Sequence, residues 1–162
     1  MLGVNMHAFE SQNSGQTLAE GVAEYYRSNP GLAQGRSMSL AAQEFFRCHD
    51  AVHVVYGCGN SLSDEAIVKL SSIFGTTGRF SVLKGYQLHE SLQIYRKLNV
   101  VEVLLAILQS VFLVPRTIIR CLRQRGRWPW NSFDKYLQVP LWEVRREFGI
   151  HVAHVVANEP DA

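Results

Sequence analysis

The sequence predicts an all-α fold, a single-domain irregular helical bundle. Apolar residues recur at helical rather than alternating spacing, and no Asn-Gly or similar hairpin turn separates alternating runs. Serine and threonine caps, glycine stops and prolines mark off segments of helical length. At 162 residues the chain suffices for one domain with a real core, and 47% hydrophobic against 19% charged residues is a globular balance.

Residues 1–15 are polar, glycine-containing and aperiodic, and are expected to form a flexible N-terminal segment ahead of one domain over 16–155. They lack the basic head and apolar block of a secretory leader. A first helix is expected over Thr17–Arg27, closed by Ser28-Asn29-Pro30-Gly31. Ser39 is a suitable N-cap for a second over Leu40–Tyr56, ending at Gly57-Cys58-Gly59-Asn60. A third should run Ser63–Phe74, before the break at Gly75-Thr76-Thr77-Gly78.

Residues 79–90 show little helical period and leave room for a short extended piece. Further helices are expected over Ser91–Asn99, Val100–Leu113, Pro115–Arg125 (bent at the proline), Asn131–Leu137 and Leu141–Phe148. Three widely spaced cysteines, Cys48, Cys58 and Cys121, make no disulfide framework and read as small apolar side chains in a reducing compartment. The net charge of +2 makes no case for nucleic acid.

The segment Phe45-Phe46-Arg47-Cys48-His49-Asp50-Ala51-Val52-His53 carries the chemistry. At about 100° per residue, His53 falls roughly 40° and Asp50 roughly 100° from His49, on the side shared by Ala42, Phe45 and Phe46. Two imidazoles and a carboxylate on a buried face need partners. A divalent ion is one solution, since histidines at i and i+4 can share it. A hydrogen-bonded His–Asp core network is the other. Glu65 follows across a glycine-rich reversal, in the first turn of the next helix, where it can fold back as a fourth ligand. Cys48 and Cys58 flank the pair as weaker candidates.

His49-Asp50-x-x-His53, eleven residues and Glu65 resemble the signature of the coenzyme Q (ubiquinone) biosynthesis protein four family, in the form of a short, bacterial-type homologue. Asn29-Pro30-Gly31-Leu32, Phe45-Phe46-Arg47, Gly75-Thr76-Thr77-Gly78 and the run from Leu141 to Ile150 add to the likeness, which spans about 20–150. Cys48, beside His49, is no part of that ligand pattern. The resemblance implies a helical metalloprotein with zinc on His49, Asp50, His53 and Glu65. It implies action on a benzoate or phenol ring bearing a polyprenyl tail, by a lyase-type oxidative decarboxylation at the carboxyl-bearing carbon. It further implies a cytoplasmic protein peripheral to the bacterial inner membrane, associating with other quinone-biosynthesis enzymes or with itself. No general base is identifiable; His89 and Tyr56 qualify by type only. Two other classes stay open. One is a non-catalytic isoprenoid-lipid carrier or scaffold with a structural metal. The other is a His-Asp metallophosphohydrolase, for which only His7 is available as an upstream histidine.

From Val100 to Val114 nearly every residue is apolar, with Leu104, Leu105, Leu108 and Phe112 prominent. The stretch is short of a clean transmembrane span, which leaves a buried or lipid-touching helix. Beyond Pro115, Arg116, Arg120, Arg123 and Arg127 fall on one side of a helical wheel, followed by Trp128 and Trp130. That is the pattern of a membrane-interface helix. An ordinary solvated face and a grip on a prenyl phosphate are the alternatives. A polyprenyl substrate, which needs an apolar route, favours the lipid contact.

Overall fold

Each of the first three long helices starts on a hydroxyl. Thr17 caps α1 (Leu18–Ser28) by accepting the Glu20 N–H at 3.2 Å, while the Glu20 carboxylate takes the Thr17 N–H at 2.8 Å. Ser39 accepts the Ala42 N–H to open α2 (Leu40–Val55), and Ser61 with Asp64 forms a second reciprocal cap for α3 (Leu62–Phe74). The computed structural model describes residues 7–30, 39–87 and 100–154, with backbone alone at 87 and over 100–110. Helices α4 (Val82–Gln87), α5 (Val100–Leu122) and α6 (Leu141–Phe148) complete an all-α, single-domain bundle. Among the described residues there is no strand.

Helix α2 is the axis of the bundle, lying against α1, α3, α4 and α6. From Cys48 to Val55 every residue is buried, so in this half there is no outer face. Phe9, Leu18, Tyr25, Val68, Trp128 and Leu141 close the core around it.

Four expectations change in detail. The N-terminal segment is folded from His7 onward: a 3-10 turn at Ala8–Glu10 buries Phe9 completely, against the edge of Tyr25. One aromatic in a polar stretch suffices to anchor it. Residues 79–87 are helical rather than extended, as a 3-10 turn at Arg79–Ser81 followed by α4. Gly85 lets α4 approach α2 so closely that a Cβ there would meet the Phe45 ring at 2.0 Å. The two pieces expected around Pro115 are one helix. That exposed proline withholds a single backbone donor. Over 131–137 only Asp134–Tyr136 is helical, because Phe133 and Tyr136 are drawn onto Trp128 at ring distances of 5.8 and 5.3 Å. The helix expected over Ser91–Asn99 lies outside the described residues.

The C-terminus of α2 is held from across the fold. Arg145 of α6 is fully buried, and its guanidinium donates to five carbonyls. Val55 and Val54 of the last turn of α2 accept at 2.9 Å each. Phe9 accepts at 2.5 Å, Ser11 also accepts, and Gln12 does so at 3.4 Å. The negative end of the α2 dipole thus meets a fixed cation. Arg145→Met strips these carbonyls of their donors and should cost about 3–5 kcal/mol of stability. Arg145→Lys should leave most of that loss in place, because an ammonium lacks the planar fork. Denaturant midpoints measure both, and a loss under about 1 kcal/mol for the methionine variant would refute this role.

Candidate metal centre

Local chain geometry brings His53 and Glu65 together. Gly57, at φ +62°, ends α2 in a Schellman turn, with Cys58 N–H donating to the His53 carbonyl at 2.8 Å and Gly57 N–H to that of Val54 at 3.2 Å. The chain reverses there, and the Gly59 carbonyl comes back to 2.8 Å from His53 Nδ1. Ser61 then starts α3 and places Glu65 in its first turn, where the helix dipole favours a carboxylate.

A carbonyl only accepts, so His53 Nδ1 carries the proton and Nε2 presents its lone pair. His49, one turn earlier, has Nδ1 at 3.3 Å from Asp50 Oδ1, and by the same logic a free Nε2. Both Nε2 atoms face Glu65: His53 Nε2 is 3.2 Å from Oε1, and His49 Nε2 is 3.6 Å from Oε2. Both Nε2 atoms are buried, and neither makes a well-aligned hydrogen bond. One ligand atom from each of His49, His53 and Glu65 lies within 4.8 Å of the others, close enough for one ion to bridge all three.

Aromatic rings hold the two imidazoles. Tyr25 stacks on His53 at 4.9 Å, Phe45 on His49 at 5.9 Å, and Tyr86 meets His49 edge-on at 5.7 Å. Burial pushes the Glu65 carboxyl up, but His53 acting as a donor, and then positive charge on His53, His49 and Lys69, outweigh this and hold it below the usual carboxylate range. It is therefore an anion at neutral pH. Its side chain keeps 32% of its exposure while His53 keeps none, so the cluster opens to solvent on the Glu65 side.

Of the four expected ligands the structure gathers three. Asp50 is buried but turned aside, with Oδ2 accepting the Tyr26 hydroxyl at 2.7 Å. Burial, and then the charge of Asp50, push the Tyr26 phenol well above its ordinary range, so it stays a donor. Cys48 Sγ is directed to Glu44 at 3.5 Å, and Cys58 Sγ to the Tyr56 carbonyl at 3.7 Å; both thiols are buried and protonated. Tyr56 hydrogen-bonds Gln124 at 2.7 Å, and His7 pairs with Glu24 at 3.5 Å instead of joining the cluster. His89 lies outside the described residues. Tyr25, Tyr26 and Tyr86 have no mark in the sequence, because their roles depend on which helix packs where.

The arginine stripe is corrected. Arg120 is half-buried and donates to the Val152 carbonyl at 2.6 Å, and Arg127 lies beyond the end of α5, donating to the Phe74 carbonyl at 2.6 Å. Open carbonyls recruit them. Arg116 and Arg123 remain exposed, beside an outward apolar face with Phe112 75%, Leu122 64%, Val111 59% and Ile119 49% exposed. The side chains of Leu104, Leu105 and Leu108 lie outside the described residues. No helix among the described residues is long and apolar enough to cross a membrane.

No protein-family model, no curated protein and no solved structure matches the chain.

Proposed function

We propose that the chain is a zinc-type metalloprotein of prenylated quinone biosynthesis that removes a ring carboxyl group from an aromatic substrate carrying a polyprenyl tail. One observation carries the metal: the buried Nε2 atoms of His49 and His53 and an ionised carboxylate converge within reach of a single ion. A divalent cation there would take one lone pair from each neutral ring and the negative charge of Glu65. Two imidazoles with a carboxylate suit zinc better than magnesium or calcium.

Among the described residues, three ligands on a side open to solvent favour a reaction centre over a closed structural site. When bound, the ion supplies Lewis-acid stabilisation of charge developing on a substrate oxygen. Tyr86, half-buried beside His49, offers a ring suited to an aromatic substrate. Lys69, one turn along α3 from Glu65 and 5.4 Å over the Tyr86 ring, adds a cation suited to its carboxylate. The prenyl tail and the reaction at the ring carboxyl come from the resemblance of His49-Asp50-x-x-His53 and Glu65 to the quinone-biosynthesis signature. The outward apolar face of α5, edged by Arg116 and Arg123, is where we place the contact with lipid. The carrier alternative needs a closed four-ligand shell, and Asp50 is turned away from it.

Protein purified without chelator should hold about one divalent ion per chain, and His53→Ala or Glu65→Gln should lose most of it. Elemental analysis settles this, and a metal-free wild type would refute the site, leaving protons shared between the rings and Glu65. Separately, binding to vesicles with anionic lipid should weaken as salt rises, Arg116 and Arg123 each contributing about 1 kcal/mol. Phe112→Glu should weaken it about tenfold or more, since a buried phenylalanine is worth roughly 1.5–3 kcal/mol. Chelating the metal should leave vesicle binding unchanged. Equal binding to neutral vesicles at high salt would rule out this surface.

A further inference from the structure

Tyr25 and Tyr26 are neighbours on α1, and each reaches a different imidazole of α2. Tyr25 does so directly, its ring stacked on His53 at 4.9 Å and 27° between planes. Tyr26 does so through Asp50: its hydroxyl donates to Oδ2 at 2.7 Å, and Oδ1 of the same carboxylate lies 3.3 Å from His49 Nδ1. Asp50 is 5% exposed and His49 6%, so water does not substitute readily for either contact. Both carboxylate oxygens are engaged on the Nδ1 side of the ring, opposite the Nε2 that faces Glu65.

We infer that Asp50 is a positioning residue rather than a metal ligand, and that Tyr26 and Asp50 together hold His49 with its proton on Nδ1 and its Nε2 turned to the metal. The role rests on the reading of His49, His53 and Glu65 as a metal site. The physical reason is general. A histidine ligand works only if its other nitrogen keeps the proton, and a carboxylate accepting that proton fixes the tautomer, orients the ring and raises its basicity. His53 obtains the same service from a backbone carbonyl, that of Gly59. His49 lies a full turn inside α2, out of reach of the reversal that supplies Gly59, and takes it from the next residue in the chain. A carboxylate placed there needs an anchor of its own, which the Tyr26 hydroxyl provides.

The test uses the full chain with Asp50→Asn, Tyr26→Phe and both together, with cobalt(II) as the probe. Asp50→Asn should weaken cobalt binding about 10- to 100-fold while leaving the positions and intensities of its visible bands unchanged, because the ligand atoms stay the same. Tyr26→Phe should cause a smaller loss alone and none further on top of Asp50→Asn. Altered cobalt bands in Asp50→Asn would put the carboxylate in the coordination shell and overturn the inference. Unchanged affinity in Asp50→Asn, or fully additive losses in the double variant, would overturn it as well. A second measurement needs no metal: long-range nitrogen–proton NMR of the imidazoles in metal-free protein should find His49 with its proton on Nδ1 in the wild type. That preference should be lost in Asp50→Asn and reduced in Tyr26→Phe. If the wild type takes up no cobalt, the metal reading fails. The ring spectra then decide the Asp50 pairing alone, a changed tautomer supporting it and an unchanged one refuting it.

Discussion

A helix with no outward face leaves its polar side chains no recourse to water. Between Cys48 and Val55, α2 is enclosed on every side, yet it carries two imidazoles and a carboxylate on successive turns. A buried polar atom left without a partner costs about 1–3 kcal/mol, comparable with a sizeable share of a small domain's stability. Most of what surrounds α2 answers to that constraint. Gly59 supplies a carbonyl to one ring, Asp50 a carboxylate to the other, Tyr26 a hydroxyl to Asp50, and Arg145 a guanidinium to the open carbonyls of the last turn. The two Nε2 atoms of α2 lack a well-aligned hydrogen bond, and both face Glu65.

The parts of this arrangement that local chemistry dictates were legible in the sequence. Thr17, Ser39 and Ser61 announce their helices because a cap acts within three residues of itself. The pairing of His49 with His53 follows from helical spacing, and the return of Glu65 from a glycine reversal with a serine cap behind it. Where a side chain points among several polar neighbours is a tertiary matter, and there spacing misleads. Asp50 shares the histidine face on a wheel, but its carboxylate is claimed by Tyr26 on another helix. Arg120 and Arg127 align with Arg116 on paper and are drawn off to carbonyls in the fold. Arg145 did leave a trace: it interrupts the stripe formed by Leu141, Val144 and Phe148, where a charge has no business unless it is bound.

Helix α5 inverts the usual order of a surface helix. Thr117 and Cys121 face the core, while Val111, Phe112, Ile119 and Leu122 look outward within about 100° of one another. Sequence composition alone registers the part before Pro115 as apolar on nearly every side and cannot say which side of the helix remains uncovered. Its placement does: the core side is closed by α3, leaving a contiguous apolar face of the kind that ordinarily marks a contact surface.

The half of the centre built on Gly59 has a different kind of vulnerability from the half built on Asp50. A backbone carbonyl is supplied by any residue whose dihedrals allow the turn, so the acceptor at His53 Nδ1 is no side chain that a point mutation could delete. What it depends on is the number of residues between the left-handed turn at Gly57 and the cap at Ser61. Adding or removing one residue there would shift the carbonyl off His53 and displace the start of α3, which carries Glu65. Over evolutionary time this loop should hold its length, whereas Tyr26 and Asp50 should change only together. One centre thus combines a length-coded half with an identity-coded half.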